Sequence, residues 1–197
     1  MMNFANYIKR VLKELNPILQ INGDGLEIIN KILNNVYIKV INDKKFPNMM
    51  DVIDNLFVRN ENEMKKEIIQ DIQKSLYQYE NNNKVKIPFL SIKFNDDEKI
   101  SYLIGSVLQY ITVDILEISG NITRKHGKTR ITVEYITEAI KKDKQVKAFI
   151  QNNRIINFKD VLKSPQIIIK KIKNSRRKQV KKSSRRKSIR KSSRKTN

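Results

Sequence analysis

One stretch constrains this chain more than any other. It begins at Asn95-Asp-Asp-Glu98 and ends near Arg124. Ile100, Leu103, Val107, Leu108, Ile111, Ile115, Ile118 and Ile122 recur through it at helical spacing. The acidic start suits a helix N-terminus, where the backbone dipole favours carboxylates. The spacing predicts one helix of about 29 residues, roughly 43 Å long at 1.5 Å per residue. Such a helix is apolar along its whole run and cannot bury the stripe alone. Other helices have to pack on it.

Shorter stripes supply them. Phe4, Tyr7, Ile8, Val11, Leu12 and Leu15 form the first; Asn3 can cap it and Pro17 prevents its continuation. Its opposite face carries Lys9, Arg10 and Lys13. Asp24-Gly-Leu-Glu27 reads as an aspartate capping box. It opens a longer helix through Leu26, Ile29, Ile32, Leu33, Val36, Tyr37 and Val40. The run from Asn42 to Pro47, with Lys44 and Lys45 inside it, breaks that helix. A short helix through Met49, Val52, Ile53 and Leu56 is expected next, then one through Met64, Ile68, Ile72, Leu76 and Tyr79. Asn81-Asn82-Asn83 reads as a linker. Beyond the long helix, Gly127 ends it and Thr132 can cap a helix through Tyr135, Ile136, Ala139 and Ile140. A shorter helix holds Val146, Phe149 and Ile150. Residues 151–169 are apolar without clean periodicity and read as an extended segment lying on a partner surface. Strand signals are weak throughout. The expected fold class is all-α: a long central helix flanked by shorter ones, twice over, with the two units crossing.

The formal net charge is +21 in 197 residues. From Lys170 to the end there are 15 Lys or Arg and no acid, which leaves 26 basic and 20 acidic residues in the remaining 169. A nearly balanced body with a strongly basic tail points to a polyanionic partner, nucleic acid first and an anionic membrane surface second. The tail repeats nine residues, Arg176-Arg177-Lys178-Gln-Val-Lys-Lys-Ser-Ser184 and then Arg185-Arg186-Lys187-Ser-Ile-Arg-Lys-Ser-Ser193. With no aromatic residue it cannot form a core, so it is expected to be disordered and to bind phosphates without reading sequence. The same residues suit a nuclear-import signal. No stretch approaches about 20 consecutive apolar residues, so no membrane span is expected. The N-terminus lacks the features of a signal peptide. The absence of Cys excludes disulfides and thiol metal sites and is compatible with a reducing compartment.

Gly120 to Thr132 contains Gly-Lys-Thr, the end of a phosphate-binding loop in many nucleotide hydrolases. Such a loop needs four residues between its glycines and a strand before it. Here six residues separate Gly120 from Gly127, and a long helix precedes them. A helix C-terminus closed by glycine, followed by a basic loop, fits better. His126 is the only histidine, too few ligands for a metal site. Asp96, Asp97 and Glu98 read as a solvated helix start. No catalytic set assembles, so no enzyme activity, cofactor or small-molecule substrate is expected.

The second half resembles a known family. Ser106-Val-Leu-Gln-Tyr-Ile-Thr-Val-Asp-Ile-Leu-Glu-Ile-Ser-Gly-Asn121 is similar to the central helix of core histone 2A. Lys128-Thr-Arg-Ile131 resembles its second loop, and Glu138-Ala-Ile-Lys-Lys-Asp143 its third helix. The first half resembles histone 2B, through Tyr7-Ile-Lys-Arg-Val-Leu-Lys-Glu-Leu-Asn-Pro17, Leu26-Glu-Ile-Ile-Asn-Lys-Ile-Leu-Asn-Asn35 and a C-terminal helix from Glu63 to Tyr79. The whole looks like a fused 2B–2A doublet of the kind carried by large DNA viruses. The AT-rich codons implied by heavy Ile, Lys and Asn usage fit such a source. Two departures stand out. The first unit is short between Ile41 and Leu56, and the second has only Pro88 to Phe94 where the family has a first helix and loop.

The resemblance implies two histone folds paired in one chain as a pseudo-dimer. Residues 1–80 would form the 2B-like fold, 81–87 a linker and 88–150 the 2A-like fold. Residues 151–169 would dock and 170–197 form the tail. It also implies contact with double-stranded DNA through Lys9, Arg10, Lys13, Lys44, Lys45, Arg124, Lys125, Lys128, Thr129 and Arg130, joined by the tail's Arg176, Arg177, Lys178, Arg185, Arg186 and Lys187. Of the family's acidic patch, Asp114, Glu117 and Asp143 remain, while Gln109, Lys144 and Gln145 stand where acids are expected. The implied partners are DNA and a histone 3–4 type doublet or pair, in a virion, a host nucleus or a viral factory. A histone-fold subunit of a transcription-factor complex is the alternative.

Overall fold

The computed structural model describes residues 1–42, 53, 56–57, 62–81 and 88–156. Helix α1 (Ala5–Leu15) leads to a two-residue strand β1 (Gln20–Ile21) and helix α2 (Gly23–Asn42). Helix α3 (Asn62–Glu80) precedes a 3-10 turn at Pro88–Ser91 and the central helix α4 (Glu98–Lys125). Strand β2 (Arg130–Ile131), α5 (Val133–Lys142) and α6 (Lys144–Asn152) complete the order. The described chain is mostly helical, as the stripes predict. It belongs to one unit, Met1–Phe158, and the other, Lys159–Asn197, lies outside the described residues.

Helix α4 is the core. It packs against α1, α2, α3, α5 and the 3-10 turn. Leu103, Ile104, Val107, Leu108, Ile111, Ile115, Leu116 and Ile122 are all buried. Asp97 starts it, accepting from the N–H groups of Lys99 at 2.8 Å and Ile100 at 3.2 Å. Thr112, Ser119 and Thr123 are buried too, and each hydroxyl donates to the carbonyl four residues back, at 2.6, 2.6 and 2.7 Å. Their polar atoms therefore enter the core satisfied. By length and composition alone α4 would pass for a membrane span. Its hydroxyls and glycines interrupt the apolar run without lowering the mean much. In this fold 67% of its most apolar window is buried.

The start of α2 corrects the sequence reading. Asn22, not Asp24, is the cap: its Oδ1 accepts from Gly25 N–H at 2.8 Å and its carbonyl from Leu26 N–H at 3.0 Å. Asn22 is already fixed by its own N–H, which donates to Ile131 at 3.0 Å. That leaves Asp24 in the first turn, where its charge still suits the dipole. Asn3 accepts from Ala5 N–H at 3.0 Å, and α1 ends before Pro17. Two asparagines of α2 hold the leader: Asn30 accepts from Phe4 N–H at 2.7 Å and Asn34 from Met2 N–H at 2.8 Å.

The second half opens with a plug, not a helix. Phe89 is fully buried, with its ring 5.7 Å from Phe4 and 5.7 Å from Tyr7. Phe94 lies 5.5 Å from Tyr37 on α2. Two phenylalanines thus cover the apolar surface beside the start of α1 and beside α2. At the other end, α6 runs to Asn152, two residues past the expected boundary. Ile155 and Ile156 then bury against the body. Asn35 of α2 donates to Ile155 O at 2.6 Å, and Lys39 to Asn153 Oδ1 at 2.9 Å. Of the expected short helix, Ile53 and Leu56 are helical and buried, while Met49 and Val52 lie outside the described residues. The rest of the expected linker and extended segment, 82–87 and 157–169, also lies outside them.

Replacing Phe89 with alanine is expected to cost about 3–5 kcal/mol, as for a fully buried phenylalanine in a packed core. Chemical denaturation measures it. A loss below about 1 kcal/mol would show that the plug stands apart from the cooperative core.

Candidate nucleic-acid interface

The C-terminal end of α4 sets the site's geometry. Gly127 has φ +63°, and the N–H groups of Gly127 and Lys128 donate back to Arg124 at 2.9 Å and Thr123 at 3.1 Å. This is the left-handed closure expected at Gly127, where a side chain would be penalised. Gly120 is helical and buried, and a Cβ there would come within 2.9 Å of Leu19 Cδ1. The Gly-Lys-Thr sequence therefore follows a helix end and not a glycine-rich loop.

Past Gly127 the chain pairs with the first half. Strands β1 and β2 run parallel, Gln20 opposite Arg130 and Ile21 opposite Ile131. Gln20 N–H donates to Thr129 O at 2.8 Å. Ile131 is buried, while Gln20 and Arg130 are exposed. Arg130 Nη2 donates to Gln20 Oε1 at 3.1 Å. Two-residue strands give no usable periodicity, so the sequence alone did not show them. Beside them, an open groove of about 330 Å³ is lined by Lys9, Leu12, Lys13, Pro17, Leu19 and Gln20.

The expected cations in the described residues are all exposed on these elements. Lys9, Arg10 and Lys13 are exposed on α1; Arg124 and Lys125 are exposed in the last turn of α4; Lys128, Thr129 and Arg130 are exposed in the loop. Arg124 donates to Asn121 Oδ1. Lys44 and Lys45 lie outside the described residues, as do Arg176, Arg177, Lys178, Arg185, Arg186 and Lys187. Thr132 stands at the N-cap of α5, but its hydroxyl donates to Glu134 at 2.9 Å and caps no backbone N–H. His126 stacks on Tyr135 at 5.2 Å, with Nε2 3.9 Å from Glu138. The hydrogen bond from Lys142 holds the Glu138 carboxyl below the usual range.

The acids gather elsewhere, and more of them than expected. Asp114 is half-buried on α4, Glu117 is exposed, and Asp143 caps α6 through Gln145 N–H at 2.9 Å and Val146 N–H at 2.8 Å. Helix α3 adds Glu67, which accepts from the Tyr110 hydroxyl, and Glu63, which accepts from Gln145 Nε2 at 2.9 Å. Burial pushes the Asp114 carboxyl up to about 6, helped by Asp143, Glu67 and Glu117. Burial also raises Asp71, with Lys74 opposing and Glu67 assisting. The Tyr110 hydroxyl is raised by burial, then by its bond to Glu67. Sequence reasoning missed these α3 acids. The available signal was the spacing of Glu63, Glu67 and Asp71, which repeats every four residues and places them on one helix face.

A quarter of the chain is similar to histones of the 2A class. It is 36% identical over 47 residues to the histone 2A of Plasmodium falciparum, covering 24% of this chain and 36% of the relative. It is 33% identical over 52 residues to the first 2A histone of Tetrahymena pyriformis, covering 26% of this chain and 39% of the relative. The X-type 2A histone of Tetrahymena thermophila matches at 33% over 52 residues, 26% of this chain and 38% of that one. The chain thus spans well under half the length of the curated relatives it matches. No protein-family model matches it.

The raised Asp114 carboxyl has a consequence for stability. A carboxyl whose folded-state value is raised holds its proton in the fold and releases it on unfolding. Its stabilising contribution is complete below the unfolded value and is lost as pH rises through about 6. Asp114→Asn should therefore raise the melting temperature more at about pH 7.5 than at about pH 4. Thermal melts of both proteins across that range measure it. An equal shift at both ends would show that burial does not hold the proton.

Proposed function

We propose that the chain is a structural DNA-packaging protein of the histone kind. Residues 1–80 and 88–150 act as two histone folds paired within one chain. The pair binds and wraps double-stranded DNA without reading its sequence. The observation that carries this reading is the pairing of Gln20–Ile21 with Arg130–Ile131. It sets the Lys128-Thr129-Arg130 loop against the segment that follows α1, whose Lys9, Arg10 and Lys13 are exposed, Lys9 and Lys13 in the groove that Gln20 also lines. The similarity to 2A histones supports the same assignment.

Cations in this arrangement displace counterions from phosphates, which gives affinity without sequence preference. Arg130 is assigned to the minor groove, with Lys128 and Thr129 on flanking phosphates. Arg124, Lys125, Lys44 and Lys45 extend the contact. Histone octamers bind DNA through minor-groove arginines in this way, and the mode is carried to this chain by similarity. A histone 3–4 type doublet or pair completes the particle. The fused architecture suits a large DNA virus, acting in a virion, a viral factory or a host nucleus. Asp114, Glu117 and Asp143 keep part of an acidic patch.

Nuclease digestion of DNA reconstituted with this chain, with and without a histone 3–4 pair, tests the reading. Discrete protected fragments that need the partner are expected, and a smear in both cases would overturn it. Deleting residues 170–197 should leave helicity unchanged and flatten the salt dependence of DNA binding. Each lost phosphate contact should lower the slope by about 0.9. An unchanged slope would show that the 15 tail cations do not touch DNA.

A further inference from the structure

Gln20 has no place in the contact described above, yet it is the residue that Arg130 touches. We infer that Gln20 is a positioning residue for Arg130, holding the guanidinium aimed outward without neutralising it. This rests on the DNA-binding reading of the loop.

Three observations carry it. Gln20 and Arg130 are direct partners in the parallel pair, and flanking bonds fix both backbones: Gln20 N–H to Thr129 O at 2.8 Å, Asn22 N–H to Ile131 O at 3.0 Å. Their side chains are exposed above a buried Ile131, and Arg130 Nη2 meets Gln20 Oε1 at 3.1 Å. Gln20 also lines the groove with Lys9 and Lys13, so it joins the cations of α1 to Arg130 in one continuous face.

The chemistry favours an amide at this position. A guanidinium has five N–H donors, and this bond occupies one. The others remain for phosphates or base edges. A carboxylate would take the guanidinium through two parallel bonds and compete with the phosphates for it. The amide leaves the positive charge intact and adds its own N–H donors to the face. A long, rotamer-rich side chain held beforehand loses less freedom when a duplex arrives.

The test is a double-mutant cycle on the full chain: Gln20→Ala, Gln20→Glu, Arg130→Ala and the Gln20→Ala/Arg130→Ala pair. Affinity for a random-sequence duplex and melting temperature are read for each. Arg130→Ala is expected to weaken binding about tenfold. Gln20→Ala should weaken it about threefold when Arg130 is present and have no effect when it is absent. Gln20→Glu should bind more weakly than Gln20→Ala. A merely structural role would act equally in both backgrounds. If Gln20→Ala has the same effect in both, or none in either, the positioning role is overturned. If Arg130→Ala binds normally, it is the DNA-contact reading of the loop that fails.

Discussion

A 28-residue helix with buried side chains on successive turns has to be covered along its full length, and no single partner among the described residues is long enough. Helix α2 has 20 residues and α3 has 19. Cover therefore comes in pieces: α1 and α2 from the first half, α3 beyond them, α5 from the second, and the Phe89 plug. Each fully buried Leu, Ile or Phe contributes about 1.5–3 kcal/mol. The stripe is worth more than any local preference of the flanking elements, so those elements adopt whatever conformation covers it. The plug shows this most clearly. Four residues of 3-10 helix do the covering there, because Phe89 packs on Phe4 and Tyr7, while Phe94 beyond the turn lies on Tyr37 of α2.

The same packing places the surface loops. Ile131 and Leu19 are buried, and between them they pull the two loops onto the end of α4. Once both are anchored, Gln20 and Arg130 have nowhere to point but outward. The exposed cations of the interface are thus set by buried apolar neighbours one residue away. Gly127 supports the arrangement by letting the chain reverse within the last turn of α4, so that Arg130 is reached after only two intervening residues.

Features governed by long local patterns were legible in the sequence. The α4 stripe, the stop at Pro17, the acidic helix start at Asn95–Glu98 and the turn at Gly127 depend on neighbours within a few residues, and the structure has each of them. Features decided by distant partners were not. Asn22 and Asp24 are both good caps, and only the bond from Asn22 to Ile131 selects between them. The strand pair is too short to leave a pattern. Asn153 looks like an ordinary polar residue, yet it is buried, donating to Leu56 O at 2.7 Å and accepting from Lys39. Glu67 sits on a helix of mixed charge, and its role emerges only when α3 is laid beside Tyr110.

Charge counting shows the same limit. The body outside the tail holds 26 basic and 20 acidic residues, a nearly even mixture in sequence. Folding sorts them. Glu67 from α3, Asp114 from α4 and Asp143 from the α5–α6 junction converge, and the Asp114 carboxyl is raised first by burial and then by these neighbouring charges. Like charges brought together in a partly buried site destabilise a fold. The packing of α3 on α4 therefore has to offset that repulsion. The cations of the α1 face and the Gly127 loop are treated in the opposite way. They stand at element ends or on solvent faces, and the contact that fixes Arg130 is a neutral amide. Among the described residues, carboxylates crowd where α3 meets α4 while the cations of α1 and the Gly127 loop stay exposed, a pattern that the net charge conceals.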